Sequence, residues 1–240
     1  MYSPMEQFVI FPILNVELTL SNNIFYLLIA VIISITLSNN GRTGKILTNN
    51  WGILSESLFR TVLNMLENFV SPKAAIYLPL FYSVAMMILF SNFLGLIPYS
   101  STPTVEIVMT LSYSFTLIIG FAVLGFLTHG FYLLSIFLPG GTPIGLIPLM
   151  VILEVNAYLT RTLSLGLRLA INLITGHILC KVVAGFLWIG HINKTNILIL
   201  SFGVFLLTVF LCLEFLVAYL QCYIFLFISL LTLKDVSLTN

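Results

Sequence analysis

The chain has 240 residues, 60% of them hydrophobic and only 7% charged, with nine basic side chains against eight acidic ones. A soluble domain is typically about 25% charged, so this chain, with a mean hydropathy of +1.13, cannot clothe a water-facing surface and reads as an integral membrane protein. Nine basic residues spread over this length make no patch for nucleic acid. Cys180, Cys212 and Cys222, all in apolar runs and without metal-ligand spacing, read as small buried hydrophobes.

The opening MYSPMEQFVIFPILNVEL holds Glu6 and Glu17 but no basic residue. It reads as neither a secretory signal nor an imported transit peptide, and the protein is expected to be made where it is used. An apolar run from Ile24 to Leu37, completed by its polar ends, predicts a first transmembrane helix over 24–39. Next, WGILSESLFRTVLNMLENFV places Trp51, Leu54, Leu58, Val62, Met65 and Phe69 at every third or fourth position, with Glu56, Arg60, Asn64 and Glu67 opposite. That predicts an amphipathic helix over 51–71, lying on the membrane surface or packed on a partner. Arg42, Lys45, Arg60 and Lys73 all fall between the first two spans, so the positive-inside rule puts this loop in the cytosol-like compartment and the N-terminus outside.

Membrane helices are predicted over 74–98 and 107–138, separated by the turn PYSSTPT. Glu106 is expected to cap the second of these, and His129 to be a satisfied histidine of the membrane interior. After the Pro- and Gly-rich LPGGTPIGLIP come two long helical stretches, 148–187 and 197–233, joined by WIGHINKTN with His191 in the turn. At about 1.5 Å per residue each is roughly 55–60 Å long, nearly twice a hydrocarbon core. Neither can stand upright, so they predict a steeply tilted or horizontal antiparallel hairpin. The sequon Asn193-Lys194-Thr195 lies in its tight turn and is not expected to carry glycan. The whole reads as one all-α polytopic membrane domain, 1–240.

Polar residues on this hairpin are sparse and regular. Glu154, Arg161, Arg168 and Thr175 are spaced by seven, with Asn172 four past Arg168; Glu214, Gln221, Ser229 and Asp235 follow a similar course. Seven residues are close to two turns, so each set forms a stripe facing a partner or a water-filled path rather than lipid. An arginine at mid-membrane costs about 2.5–3.5 kcal/mol and cannot shed its proton. With the turn centred near residue 192, Arg168 is expected level with the stretch from Glu214 to Gln221, and Glu154 level with Asp235. His177 falls on the turn side, about 180° around the helix from Arg168. Two polar clusters result, His177 with Glu214 and Glu154 with Asp235, with Arg168 between them. A proton could pass such a charge only on a mobile carrier, most naturally a partner's carboxylic acid, neutral in lipid and held ionised beside the arginine. Arg161 is either a partner for Glu154 or a functional charge, and Lys181 has no account in this reading.

SLGLRLAINLITGH resembles the signature of subunit a of the F-type ATP synthase, known in mitochondria as ATP synthase subunit 6. SNFLGLIPYS, EVNAYLTRTLSLGLR, LEFLVAYLQCYIF and the closing LKD are similar to the same family, and SPMEQF looks most like fungal mitochondrial members, whose processing would leave Ser3 first. The resemblance implies that Arg168 faces the carboxylates of the c-ring and prevents a proton short circuit. It further implies that His177, Glu214, Gln221 and Asn172 line a half-channel from the intermembrane space, and Glu154 and Asp235 one to the matrix. It implies a multi-pass protein of the mitochondrial inner membrane, with N-terminus in the intermembrane space and loop 40–73 and C-terminus in the matrix. The implied partners are the c subunits, the peripheral stalk subunit b, small membrane subunits, cardiolipin and a second whole complex. No nucleotide motif G-x-x-x-x-G-K-[ST] occurs, so the chain is expected to be no enzyme by itself and to hold no cofactor or metal. The ring subunit's sequence, not this one, decides between proton and sodium. The rival readings are a secondary transporter or channel, for which an inverted repeat is missing, and a structural subunit of a respiratory complex.

Overall fold

The computed structural model describes residues 12–14, 20–40, 50–70, 72–97, 103–130, 144–193 and 196–237. Six helices dominate: α1 (Asn22–Asn40), α2 (Asn50–Phe69), α3 (Leu78–Gly95), α4 (Ile107–His129), α5 (Ile147–Ile192) and α6 (Ile197–Ser237). All except α2 are long and apolar enough to cross a membrane, so the protein is an all-α polytopic membrane protein. Ahead of α1, β1 (Pro12–Leu14) and β2 (Leu20–Ser21) pair antiparallel, a small element the helical reading did not include. Ser3, Glu6, Glu17, Arg42, Lys45, Lys194 and Thr195 lie outside the described residues, as do the chain turn at 98–102 and the segment 131–143.

Local chemistry sets the helix ends. A 3₁₀ turn, Pro72–Tyr77, leads into α3, which carries a proline in its first turn, where a missing N–H costs nothing. The span expected from 74 therefore becomes α-helical only at Leu78. Helix α4 ends at His129, where Gly130 takes a positive φ of 59° and its N–H closes on the Phe126 carbonyl; the rest of the expected span, 131–138, lies outside the described residues. His129 thus sits half-buried in a last turn, where a basic side chain complements the helix dipole. Glu106 occupies the N-cap of α4 but makes no capping bond; its carboxylate instead accepts from the amide of buried Asn23 at the head of α1. Inside the helices Ser114, Thr162 and Ser229 return their hydroxyls to carbonyls three or four residues back, which keeps them satisfied away from water.

The core gathers Val62 and Leu66 of α2, Phe81 and Ile88 of α3, Phe121 of α4, Leu165 and Leu169 of α5, and Phe225 and Leu230 of α6. The rings of Phe81 and Phe121 stack at 5.7 Å, and Phe69 meets Phe227 edge-on at 4.9 Å. On α2, Val62 and Met65 are buried and Leu58 and Phe69 half-buried, while Trp51 and Leu54 remain exposed, so only the later turns of its apolar stripe find protein. Glu56, Arg60, Asn64 and Glu67 are all exposed. Glu56 and Arg60 form an i,i+4 ion pair, a surface contact that contributes little stability.

Helix α4 lies so close to α5 that a methyl group on Gly166 would sit 2.9 Å from Ser114 Oγ and 3.0 Å from the Leu111 Cα. A backbone atom cannot swing aside, so the helices would have to part. Gly166→Ala is expected to destabilise the chain by about 1–3 kcal/mol through overpacking, read as earlier heat-release of the chain from the assembled complex on native gels. Gly185→Ala, with nothing within 4 Å of the added methyl, is the neutral control; equal behaviour of the two would refute the close approach.

Candidate functional site

Helices α5 and α6, of 46 and 41 residues, run antiparallel. At about 1.5 Å per residue they are roughly 69 and 62 Å long, twice a hydrocarbon core, and must incline steeply to stay within it. Leu187 packs on Gly203, Glu214 lies against Gly176 and His177, and Asp235 reaches Arg161, so facing positions add to about 390 near the turn and 396 at the far end. The turn therefore centres near residue 195 rather than 192. The reason is the length of α5, which runs on through His191 to Ile192 and leaves a connection of four residues. His191 lies in the last helical turn, its ring 6.5 Å from that of Trp188, and Asn193 is the C-cap.

This register moves three expected neighbours. Arg168 falls level with the stretch just past Gln221 instead of between Glu214 and Gln221. Asp235 does not pair with Glu154; its carboxylate accepts from Arg161 Nη1 at 2.9 Å, each side chain about two-fifths exposed. Arg161 is thereby assigned to Asp235, not to Glu154. The second cluster still assembles, around a residue the sequence reading passed over. Tyr158 lies within electrostatic reach of Asp235, Arg161 and Glu154, and the Arg161 guanidinium stands 5.5 Å from its ring centre. Its signal was its place in EVNAYLTR, one turn from both Glu154 and Arg161.

The first cluster is more enclosed. His177 Nδ1 lies 3.5 Å from Glu214 Oε1, the two residues being 9% and 7% exposed. Glu214 fits against α5 because position 176 is glycine: a Cβ there would stand 2.9 Å from Oε1 and 3.2 Å from Cγ. Glu214 opens on a cavity of about 370 Å³ between α3, α5 and α6, with Asn172, Thr175, Cys180 and Gln221 in its walls. Helix α3 supplies Asn92, fully buried, whose amide donates to the Ala218 carbonyl at 3.3 Å. Asn92 Oδ1 and Glu214 Oε1 make no hydrogen bond among the described residues, and both residues line the cavity. Apolar over most of its lining but with buried acceptors in its walls, a cavity of this size has room for several water molecules. Asn92 was missed as a site residue because a lone asparagine on a separate apolar helix carries no spacing signal.

Arg168 differs from both clusters. Its neighbours Leu165, Gly166, Leu169 and Ala170 are buried, whereas Arg168 itself is exposed, and its Nη2 donates to Ser164 Oγ at 3.2 Å. Along the helix it stands nine residues from His177 and seven from Arg161, about 13 and 10 Å. Of the cysteines, Cys222 is buried, Cys212 exposed, and Cys180 half-buried with its sulfur on Glu214, so only Cys222 behaves as a small buried hydrophobe. Lys181, half-buried on α5, lies within electrostatic reach of His177.

The family model described as the ATP synthase A chain matches residues 23–233, nearly the whole chain and every residue of both clusters except Asp235. The chain belongs to the ATP synthase A chain family. It is 38% identical over 247 residues to "ATP synthase subunit a" of Zancudomyces culisetae, the match covering 98% of both chains. The protein of the same name from Emericella nidulans is 34% identical, covering 97% of this chain and 95% of its own, and that of Marchantia polymorpha 36% identical, covering 97% of each. Membership fits a membrane-embedded chain that carries Glu154, Arg161, Arg168, His177, Lys181, Glu214 and Asp235 along one helical hairpin.

Proposed function

We propose that this chain is the proton-translocating stator subunit of the ATP synthase membrane sector. Two half-channels, offset along α5 and α6, deliver protons to and from the carboxylates of a rotating c-ring. The observation that carries this reading is the separation of two polar clusters by an exposed arginine beside the buried Leu165, Gly166, Leu169 and Ala170.

In this reading protons enter from the intermembrane space through the cavity beside Asn172, Gln221, Glu214 and His177. Glutamate and histidine side chains can each take up and give off a proton, so the pair can hand protons on. A ring carboxylate takes the proton, becomes neutral and turns into lipid. After nearly a full revolution it meets water at Glu154 and Asp235, releases its proton toward the matrix, and as an anion passes Arg168, whose fixed charge favours the ionised form. The same charge repels a proton trying to run straight from one cavity to the other. Each proton crossing 100 mV releases about 2.3 kcal/mol, which the ring converts to rotation. The nucleotide chemistry belongs to other subunits; this chain supplies the path. The protein sits in the mitochondrial inner membrane with its N-terminus in the intermembrane space and its C-terminus in the matrix. Subunit b, small membrane subunits, cardiolipin and a second complex are its neighbours beside the ring. Membership of the family weighs against a free-standing transporter or a structural subunit of a respiratory complex.

Sidedness tests the scheme. With Cys180 and Cys212 replaced by serine and Cys222 by alanine, single cysteines at Gln221 and at Tyr158 are labelled in oriented inner-membrane vesicles with a charged, impermeant thiol reagent. Gln221→Cys is expected to react only from the intermembrane-space side, and Tyr158→Cys only from the matrix side. Reaction of both from one side would overturn the two-channel reading.

A further inference from the structure

Glu214 is held by more than histidine. Its Oε1 faces His177 Nδ1, while its Oε2 lies 3.4 Å from the sulfur of Cys180, three residues along α5 on the same side. A protonated thiol is a donor, if a weak one, and a carboxylate oxygen only accepts, so the S–H bond runs from Cys180 to Glu214. Gly176 leaves the space in which the carboxyl lies flat against α5, within reach of both side chains. Cys180 also lines the cavity that Glu214 faces, and Glu214 Oε1, on a residue only 7% exposed, makes no hydrogen bond among the described residues.

We propose that Cys180 is a positioning residue of the proton inlet: its thiol anchors Oε2 of Glu214 and thereby turns Oε1 toward His177 and the cavity. The inference rests on the half-channel reading above and adds a residue to it. A carboxyl group pivots about its last bond, and a path that loads and unloads one oxygen works only if that oxygen keeps its direction. Pinning the second oxygen supplies this. The ionisable groups facing Glu214 are His177 and Cys180 on α5; Lys181 acts on His177, and α3 brings the uncharged Asn92. A purely space-filling role would be met by any small apolar side chain, whereas a positioning role needs a donor.

The test compares Cys180→Ala, Cys180→Val, Cys180→Ser and Glu214→Gln in the whole complex, measuring ATP-driven proton pumping in inner-membrane vesicles per assembled complex. Loss of one such bond is expected to slow pumping about threefold to tenfold in Cys180→Ala and Cys180→Val alike. Serine, which restores a donor, is expected to return the rate close to native. Equal rates in native and alanine forms, or a serine form no better than alanine or valine, would overturn the proposal. Glu214→Gln separates the two levels. If it blocks pumping while Cys180→Ala pumps normally, the thiol has no role and the half-channel stands; if Glu214→Gln itself pumps at the native rate, the half-channel reading falls too. Should alanine impair assembly, the valine and serine pair, which differ in the donor, decides the question.

Discussion

Replacing Arg168 with glutamine is expected to abolish ATP-driven proton pumping while the complex still assembles and its headpiece still hydrolyses ATP. The side chain is exposed on a helix whose nearby residues Leu165 and Leu169 belong to the core and whose Gly166 and Ala170 are buried. Among the described residues its hydrogen bond is to Ser164 on the same helix. Glutamine keeps a polar, hydrogen-bonding side chain, though a shorter one, and removes the charge at an exposed position, so folding loses little. Transport loses the group that keeps a passing carboxylate ionised and that bars direct exchange between the two clusters. Arg168→Ala, which also clears space, is expected to add a passive proton leak in membranes energised without nucleotide. Near-native pumping by Arg168→Gln would make the arginine structural and remove the separator from the scheme.

Glu214→Gln is expected to reduce pumping at least tenfold. Glutamine preserves the volume pressed against Gly176 and can still accept from Cys180, so the packing of α5 on α6 survives. It cannot carry a proton, and His177 is left without the acid 3.5 Å away. Removal of a proton-relaying group typically costs 10²–10⁴-fold in a step that depends on it, and bypass by water in the 370 Å³ cavity sets the tenfold floor. Glu214→Asp, which keeps the acid on a shorter stem, is expected to retain intermediate activity. A pumping rate indifferent to all three side chains would place the proton path elsewhere.

Much of this was legible before any coordinates. Apolar runs marked the spans, and the length of the last two against the thickness of a membrane required inclined helices. The seven-residue spacing of Glu154, Arg161 and Arg168 marked a candidate stripe, since ionisable groups on such helices are costly against lipid. What periodicity could not supply was register. A hairpin's facing positions depend on where α5 stops, and nothing in WIGHINKTN distinguishes a turn at 192 from one at 195. An error of three residues in the turn moves facing positions by six, and the further drift along the hairpin, from a sum of about 390 at Glu214 to 396 at Asp235, carries Asp235 past Glu154 to Arg161. Helix ends set by backbone geometry were equally hidden: the stop at Gly130 lies inside an apolar run that reads as continuous. Contacts across distant segments, Asn23 with Glu106 and Asn92 with Ala218, leave no mark in local pattern at all.

The close seating of Gly166 on α4 has a mechanical consequence. In the proposed scheme, a rotor attracted and released by Arg168 would exert an equal and opposite pull on the stator. The charge is mounted two residues beyond the point where α5 touches the Leu111 backbone, so that pull passes at once into α4 and the packed interior. The compliance of the coupling then resides in the flexible stem of one arginine side chain, a spring a few ångströms long on a rigid mount. A stiff mount with a short soft tip lets each carboxylate be held, strained and let go without the wall yielding behind it.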